Sequence, residues 1–137
     1  MEFIEQPLPV EASHEEKLRV FYGSRLPIIA DEDCRTREDV PNCHGLYHGV
    51  NVKICKCGGL SPAFDMLHNA RELGMKTMVG CMIGTSVSVA PGLLLGQICN
   101  VVDLDAPIHL ARDRAPTVVY DETGHVSNAP NVWGPSF

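Results

Sequence analysis

No stretch of this 137-residue sequence approaches the roughly 20 consecutive apolar residues that a membrane-spanning helix needs. The start, Met1-Glu2-Phe3-Ile4-Glu5, has neither a charged n-region nor an apolar h-region, so no signal peptide is expected. Basic residues are scarce: 11 Lys and Arg stand against 17 Asp and Glu, the formal charge is −6, and no basic cluster interrupts that balance. Neither nucleic acid nor an anionic membrane is therefore expected as a main partner, and the cytoplasm is the expected compartment. A zinc framework is also missing. The six cysteines (Cys34, Cys43, Cys55, Cys57, Cys81, Cys99) include one close pair, Cys55-Lys56-Cys57, and a C-x-C without a second pair is weak evidence for metal. They read instead as small buried hydrophobes in a reducing compartment, with Cys55 and Cys57 on one face of a strand. The six histidines show no metal spacing, because Gly45 and Gly49 oppose a helix that would align His44 with His48, and all six read as surface or loop residues. Gly58-Gly59 is not followed by a G-x-G-x-x-G pattern, so it reads as a tight turn into a helix and not as a phosphate cradle.

What the sequence does contain is alternation. A short strand ends at Glu5. Ser13 with Glu16 forms a capping box opening a helix through Phe21, ended by Gly23. A strand over residues 28–31 follows, then a short irregular element around Thr36 and Asp39, limited by Pro41. A strand over residues 49–56 leads to a helix with Ser61 as N-cap and Pro62 at its first position, whose apolar face is Ala63, Met66, Leu67, Ala70 and Leu73. A strand over 76–81, a buried helix over 86–99 bent at Pro91, a strand over 100–103 and a short helical turn over 109–113 complete the series. After residue 114 the alternation stops: a small hairpin is expected around the turn at 121–124, then an extended tail carrying the only tryptophan, Trp133. One-way strand–helix alternation implies a parallel sheet with right-handed crossovers. The fold class read here is α/β, the C-terminal part (about five βα units) of a (β/α) barrel over residues 1–114, with a hairpin and tail over 115–137.

Chemistry-bearing residues recur with that alternation. Glu5, Asp31 and Lys56 are 26 and 25 residues apart, and Asp105 follows after a further 49, with Gly80-Cys81 near the middle of that last gap. About 25 residues is one strand, one helix and two loops, and a barrel builds its active site from groups delivered at successive strand ends. Two carboxylates at neighbouring strand ends suit a hard, oxygen-preferring divalent cation such as Mg²⁺. A lysine one strand on, near a cation and half-buried, has reason to lose its proton more easily and serve as a general base. Together they suit removal of a proton α to a carboxylate.

Glu5-Gln6-Pro7, Ala30-Asp31-Glu32 and Asn51-Val52-Lys53-Ile54-Cys55-Lys56-Cys57-Gly58-Gly59-Leu60 resemble the fourth, fifth and sixth barrel strands of the enolase superfamily, in its muconate-lactonizing subgroup. The resemblance runs from Phe3 to about Asp113. It implies that Glu5 and Asp31 are Mg²⁺ ligands and that Lys56 is the acid/base, with Lys53 facing the same way further down the strand. Gly80-Cys81-Met82-Ile83 resembles the seventh strand end, which places Cys81 and Met82 beside the substrate. Asp103-Leu104-Asp105 resembles the Asp-x-Asp that dipeptide epimerases of this subgroup use to hold an α-ammonium group. The activity implied is Mg²⁺-dependent epimerisation of a dipeptide through a metal-stabilised enediolate.

The family's opposing base, its third-strand aspartate ligand and its capping domain have no counterpart in these residues. The chain is accordingly expected to be a C-terminal portion of a larger protein, with activity depending on homo-oligomerisation or on association with the missing barrel half. Two other outcomes remain open at this level. One is another reaction of the subgroup: cycloisomerase, o-succinylbenzoate synthase or N-acylamino-acid racemase. The other is an inactive barrel fragment.

Overall fold

A computed structural model describes residues 2–127 and Val132. Five parallel strands form one sheet in the order β1-β2-β3-β4-β5: β1 (Ile4–Glu5), β2 (Ile28–Ala30), β3 (Gly49–Lys53), β4 (Lys76–Gly80) and β5 (Val101–Val102). Between them run α1 (His14–Gly23), the short α2 (Val40–Cys43), α3 (Ile54–Cys57), α4 (Leu60–Glu72) and α5 (Ser86–Gly96). A small antiparallel hairpin, β6 (Val119–Tyr120) with β7 (Val126–Ser127), follows the sheet. No helix among the described residues is long and apolar enough to cross a membrane.

The expected alternation is present, with four local differences. The N-cap of α4 is Gly59 and not Ser61; Ser61 and Pro62 lie in its first turn, where a missing N–H costs nothing because those donors have no intrahelical partner. The turn after β5 is a 3-10 helix at Ala106–His109, earlier than expected, since Pro107 suits its first turn and ends the extended backbone. The third strand stops at Lys53, so Cys55, Lys56 and Cys57 lie on the helical turn α3, closed by Gly58 at φ +92. Cys55 is consequently exposed, and only Cys34 and Cys43 are fully buried. The capping box of α1 is as expected: Ser13 Oγ accepts from the Glu16 N–H, and Glu16 accepts from the Ser13 N–H at 2.8 Å. Trp133 and the extended tail lie outside the described residues.

Strand register separates the sheet into two faces. Ile28, Ala30, Val50, Val52 and Val79 point outward into a core completed by Ala63, Met66, Leu67 and Ala70 of α4 and by Val89, Ala90 and Leu95 of α5. The pairings Glu5↔Ile29, Ile29↔Gly49, Asn51↔Met78, Lys53↔Gly80 and Met78↔Val101 put those residues on the other, inner face. Counting two residues on, Asp31 and Asp103 continue that face beyond β2 and β5. The inner face is buried through the middle (Ile29 and Met78 0%, Asn51 1% exposed) and turns polar at the strands' C-terminal ends. Two glycines make this crowding feasible. A Cβ on Gly49 would lie 2.7 Å from Ile29 Cδ1, and one on Gly80 would lie 2.6 Å from both amide atoms of Asn51.

Candidate active site

Four of the residues singled out from sequence meet at the C-terminal end of the inner face. Asp31, 4% exposed, is at the centre. Lys53 Nζ donates to its Oδ2 at 2.7 Å, and Lys56 Nζ donates to its Oδ1. Lys53 Nζ also lies 3.8 Å from Glu5 Oε1. Lys53 comes from the last position of β3 and Lys56 from the turn α3; the helical turn swings Lys56 back over the strand end to meet the same carboxylate.

Charge and burial oppose each other across this cluster. Burial works to raise the Asp31 pKa, but the hydrogen bonds and charges of Lys53 and Lys56 outweigh it and hold the carboxyl below its ordinary value. Burial works to lower Lys53, and the Asp31 carboxylate, with Glu5 and Glu32, raises it instead. Glu5 has the opposite balance. Burial, then repulsion from Asp31 and Asp103, raise its pKa against a hydrogen bond from Asn51 and the Lys53 charge. Three carboxylates sharing one strand-end region is an arrangement that invites positive charge.

The remaining candidates flank this centre. Cys81 and Met82 line a cavity of about 210 Å³ with Ile54, Cys55, Val89 and Leu104, beside the turn that carries Lys56. Asp103 and Asp105 line a second cavity of about 400 Å³ between α5, β5 and the hairpin. Burial, then the neighbouring Asp105, push the Asp103 pKa up. Asp105 Oδ2 is 3.0 Å from His109 Nε2.

Two residues that sequence reasoning left without a role belong to this site. Asn51 Nδ2 donates to Glu5 Oε1 at 2.6 Å, and its Oδ1 is a buried acceptor without a partner among the described residues. Its signal was faint: a polar residue between Val50 and Val52, two positions before Lys53. Gln6 accepts hydrogen bonds from the backbone N–H of Asp31 and of Asp33. His48, expected at the surface, is half-buried: its ring stacks on Phe21 at 4.3 Å and its Nδ1 accepts from the Ile28 N–H.

Among the described residues no group of three or more His, Cys, Asp and Glu side chains is disposed to hold a metal. The donor set that is present is nonetheless of the right kind for a hard cation. Glu5 and Asp31 bring carboxylate oxygens to adjacent strand ends, and the Asn51 amide that donates to Glu5 leaves its own Oδ1 without a partner among the described residues.

Comparison with known proteins agrees with this fold. Residues 1–131 match the family described as enolase C-terminal domain-like. An L-Ala-D/L-amino acid epimerase of Flavobacterium johnsoniae is 46% identical over 119 residues, covering 86% of this chain and 35% of that protein. An N-acetyl-D-glutamate racemase of a Pseudoalteromonas species is 39% identical over 132 residues, 96% of this chain and 41% of that one. A solved structure of an enolase family member from Agrobacterium tumefaciens, with homology to dipeptide epimerases and bound sodium and L-Ala-L-Glu, superposes with a TM-score of 0.85. It is 40% identical and covers 94% of this chain and 38% of that chain. The five-stranded sheet thus corresponds to the C-terminal part of a TIM barrel. The chain spans about a third of the length of the curated relatives it matches, from 29% to 41%.

Proposed function

The chain belongs to the enolase C-terminal domain-like family, and from that premise we propose that it supplies the metal-binding and proton-transfer half of a Mg²⁺-dependent dipeptide epimerase. The observation that carries the reading is the Glu5–Asp31–Lys53–Lys56 cluster at the strand ends, two carboxylates and two ammonium groups within one set of ion pairs. Glu5 and Asp31 are the residues to hold Mg²⁺, which when bound neutralises negative charge developing on the substrate carboxylate. Lys56 is the base on one face of the α-carbon. Its Nζ, which donates to Asp31, must leave that carboxylate to reach a substrate. Lys53, anchored to both carboxylates, orients Asp31 and offers a second ammonium to the substrate's carboxylate. Asp103 and Asp105, which line the larger cavity, would present two carboxylates to a cationic α-ammonium group, and Cys81 with Met82 would contribute apolar wall from the smaller cavity beside Ile54 and Cys55.

Completion of the barrel by a partner, whether a homo-oligomer or the other barrel half, belongs to this reading. β1 and β5 each have one sheet neighbour among the described residues, and a base on the second face of the α-carbon must come from elsewhere. The test is exchange of the α-proton of L-Ala-L-Glu with deuterated solvent, in the assembled protein with saturating Mg²⁺. Lys56→Ala is expected to slow exchange by about 10²–10⁴-fold; exchange that continues unchanged in that variant removes Lys56 from its role.

The racemase of N-acetyl-D-glutamate among the relatives supports one alternative, an N-acylamino-acid racemase. Such substrates lack the ammonium that Asp103 and Asp105 would hold. Asp105→Asn separates the two: loss of dipeptide turnover favours the epimerase, and dipeptide turnover left intact favours the racemase.

A further inference from the structure

Glu5 and Asp31 sit on different strands, and their relative placement depends on a side chain that belongs to neither. In a regular parallel ladder the Gln6 N–H donates to Ile29 O, as it does here at 2.9 Å, and the Asp31 N–H would then donate to the backbone carbonyl of Gln6. Gln6 instead has φ +35, in the left-handed region where a residue with a side chain is strained. Its backbone turns away from β2, and its side chain takes over: Oε1 accepts from Asp31 N–H at 2.9 Å and from Asp33 N–H at 3.5 Å. The other end of the amide is also occupied. Nε2 donates to Leu8 O at 2.9 Å and to the Tyr47 hydroxyl at 3.1 Å. That hydroxyl donates to the Asp33 carboxylate, which Lys17 Nζ pairs at 2.7 Å. The amide is thus tied at both ends, and the residue next to Glu5 grips the backbone of Asp31 directly.

We infer that Gln6 is a positioning residue that sets the separation of the Glu5 and Asp31 carboxylates, and thereby the affinity of the strand-end site for a divalent cation. This rests on the reading of Glu5 and Asp31 as metal ligands. Partners that orient metal ligands commonly change affinity by about 10–100-fold when removed. The strained backbone is the local cost of placing an amide where a carbonyl would otherwise be, and it buys orientation of a group that the ladder alone leaves free.

The test uses Mn²⁺ as probe, with free ion followed by electron paramagnetic resonance, and hydrogen exchange of the Asp31 amide measured without metal. Gln6→Gly is the informative variant, since glycine accepts the positive φ and only the amide is lost; Gln6→Leu keeps the bulk and loses the hydrogen bonds. Both are expected to weaken Mn²⁺ binding by about 10–100-fold and to speed Asp31 amide exchange, while the Gln6→Gly urea midpoint stays near that of the parent. Tyr47→Phe, which cuts the network one step away, is expected to leave Mn²⁺ binding within about twofold. Unchanged Mn²⁺ binding in Gln6→Gly overturns the inference, as does a loss that tracks the urea midpoint equally in Gln6→Gly, Gln6→Leu and Tyr47→Phe. Failure of the underlying reading has a different signature: Glu5→Gln then binds Mn²⁺ as the parent does, or the parent binds none.

Discussion

Gly80→Ala tests how tightly the inner face is built. Gly80 ends β4 opposite Lys53, and a Cβ there would lie 2.6 Å from Asn51 Nδ2, 2.6 Å from Oδ1 and 3.0 Å from Cγ. Asn51 is 1% exposed on the central strand, so its amide has no solvent to retreat into. Gly80 does not have a positive φ, so the cost is steric and not conformational. Overpacking of this kind costs about 1–3 kcal/mol. If the amide swings away to relieve it, the 2.6 Å hydrogen bond to Glu5 is lost instead, worth about 1.5–3 kcal/mol for a charged acceptor. The two costs partly replace each other, so the expected loss is about 2–4 kcal/mol, a large share of the roughly 5–15 kcal/mol that stabilises an ordinary domain. Urea unfolding of the parent, Gly80→Ala, Asn51→Ala and the double variant measures it. Once Asn51 is truncated the added methyl has room, so Gly80→Ala in that background is expected to cost less by about 1–3 kcal/mol. An equal cost in both backgrounds would refute the argument, because the clash would then lie elsewhere.

Three further outcomes follow, two from the site and one from the α1 cap. The Asp31 pKa is held below its unfolded value, so its ion pairs stabilise the fold above about pH 4 and are lost as pH falls through the folded value; Asp31→Asn should flatten that acid limb in a urea-midpoint-versus-pH series. The Lys53 pKa is raised, so its contribution is complete below about pH 10.4 and lost as pH rises through the folded value, and Lys53→Met should remove that alkaline decline. Ser13→Ala deletes one arm of the α1 capping box and should cost about 1 kcal/mol by the same unfolding measurement, leaving Mn²⁺ binding untouched.

Much of the site was legible because a parallel α/β chain delivers one strand end per period, and strand ends can be read from apolar runs that stop at a polar residue. Glu5, Asp31 and Lys56 stand out that way, and the fold brings Glu5 and Asp31 into one ion-pair cluster with Lys53 and Lys56. By sequence Lys56 belongs to the strand, because the run from Gly49 to Lys56 has no internal breaker; in the structure the left-handed turn at Gly58 closes a helical turn that begins at Ile54. Gln6 escaped because its role depends on a backbone angle that no residue type announces. Asn51 escaped because a polar residue inside a strand signals burial on a polar face only once that face is known to be an interior.

The sequence by itself determined the order of elements, the parallel sheet and the residue types available for chemistry, because hydrophobic periodicity, caps and turn residues are local properties. It also carried the family signature. Only the tertiary structure decided which of those residues meet. Register placed Asn51 against Glu5 across two strands, the α3 turn brought Lys56 onto the carboxylate that Lys53 already holds, and Gly80 left the gap that Asn51 fills. These are contacts between residues 22 to 46 positions apart. They are fixed by how strands pair and how much room each side chain leaves its neighbour, and no single segment encodes either.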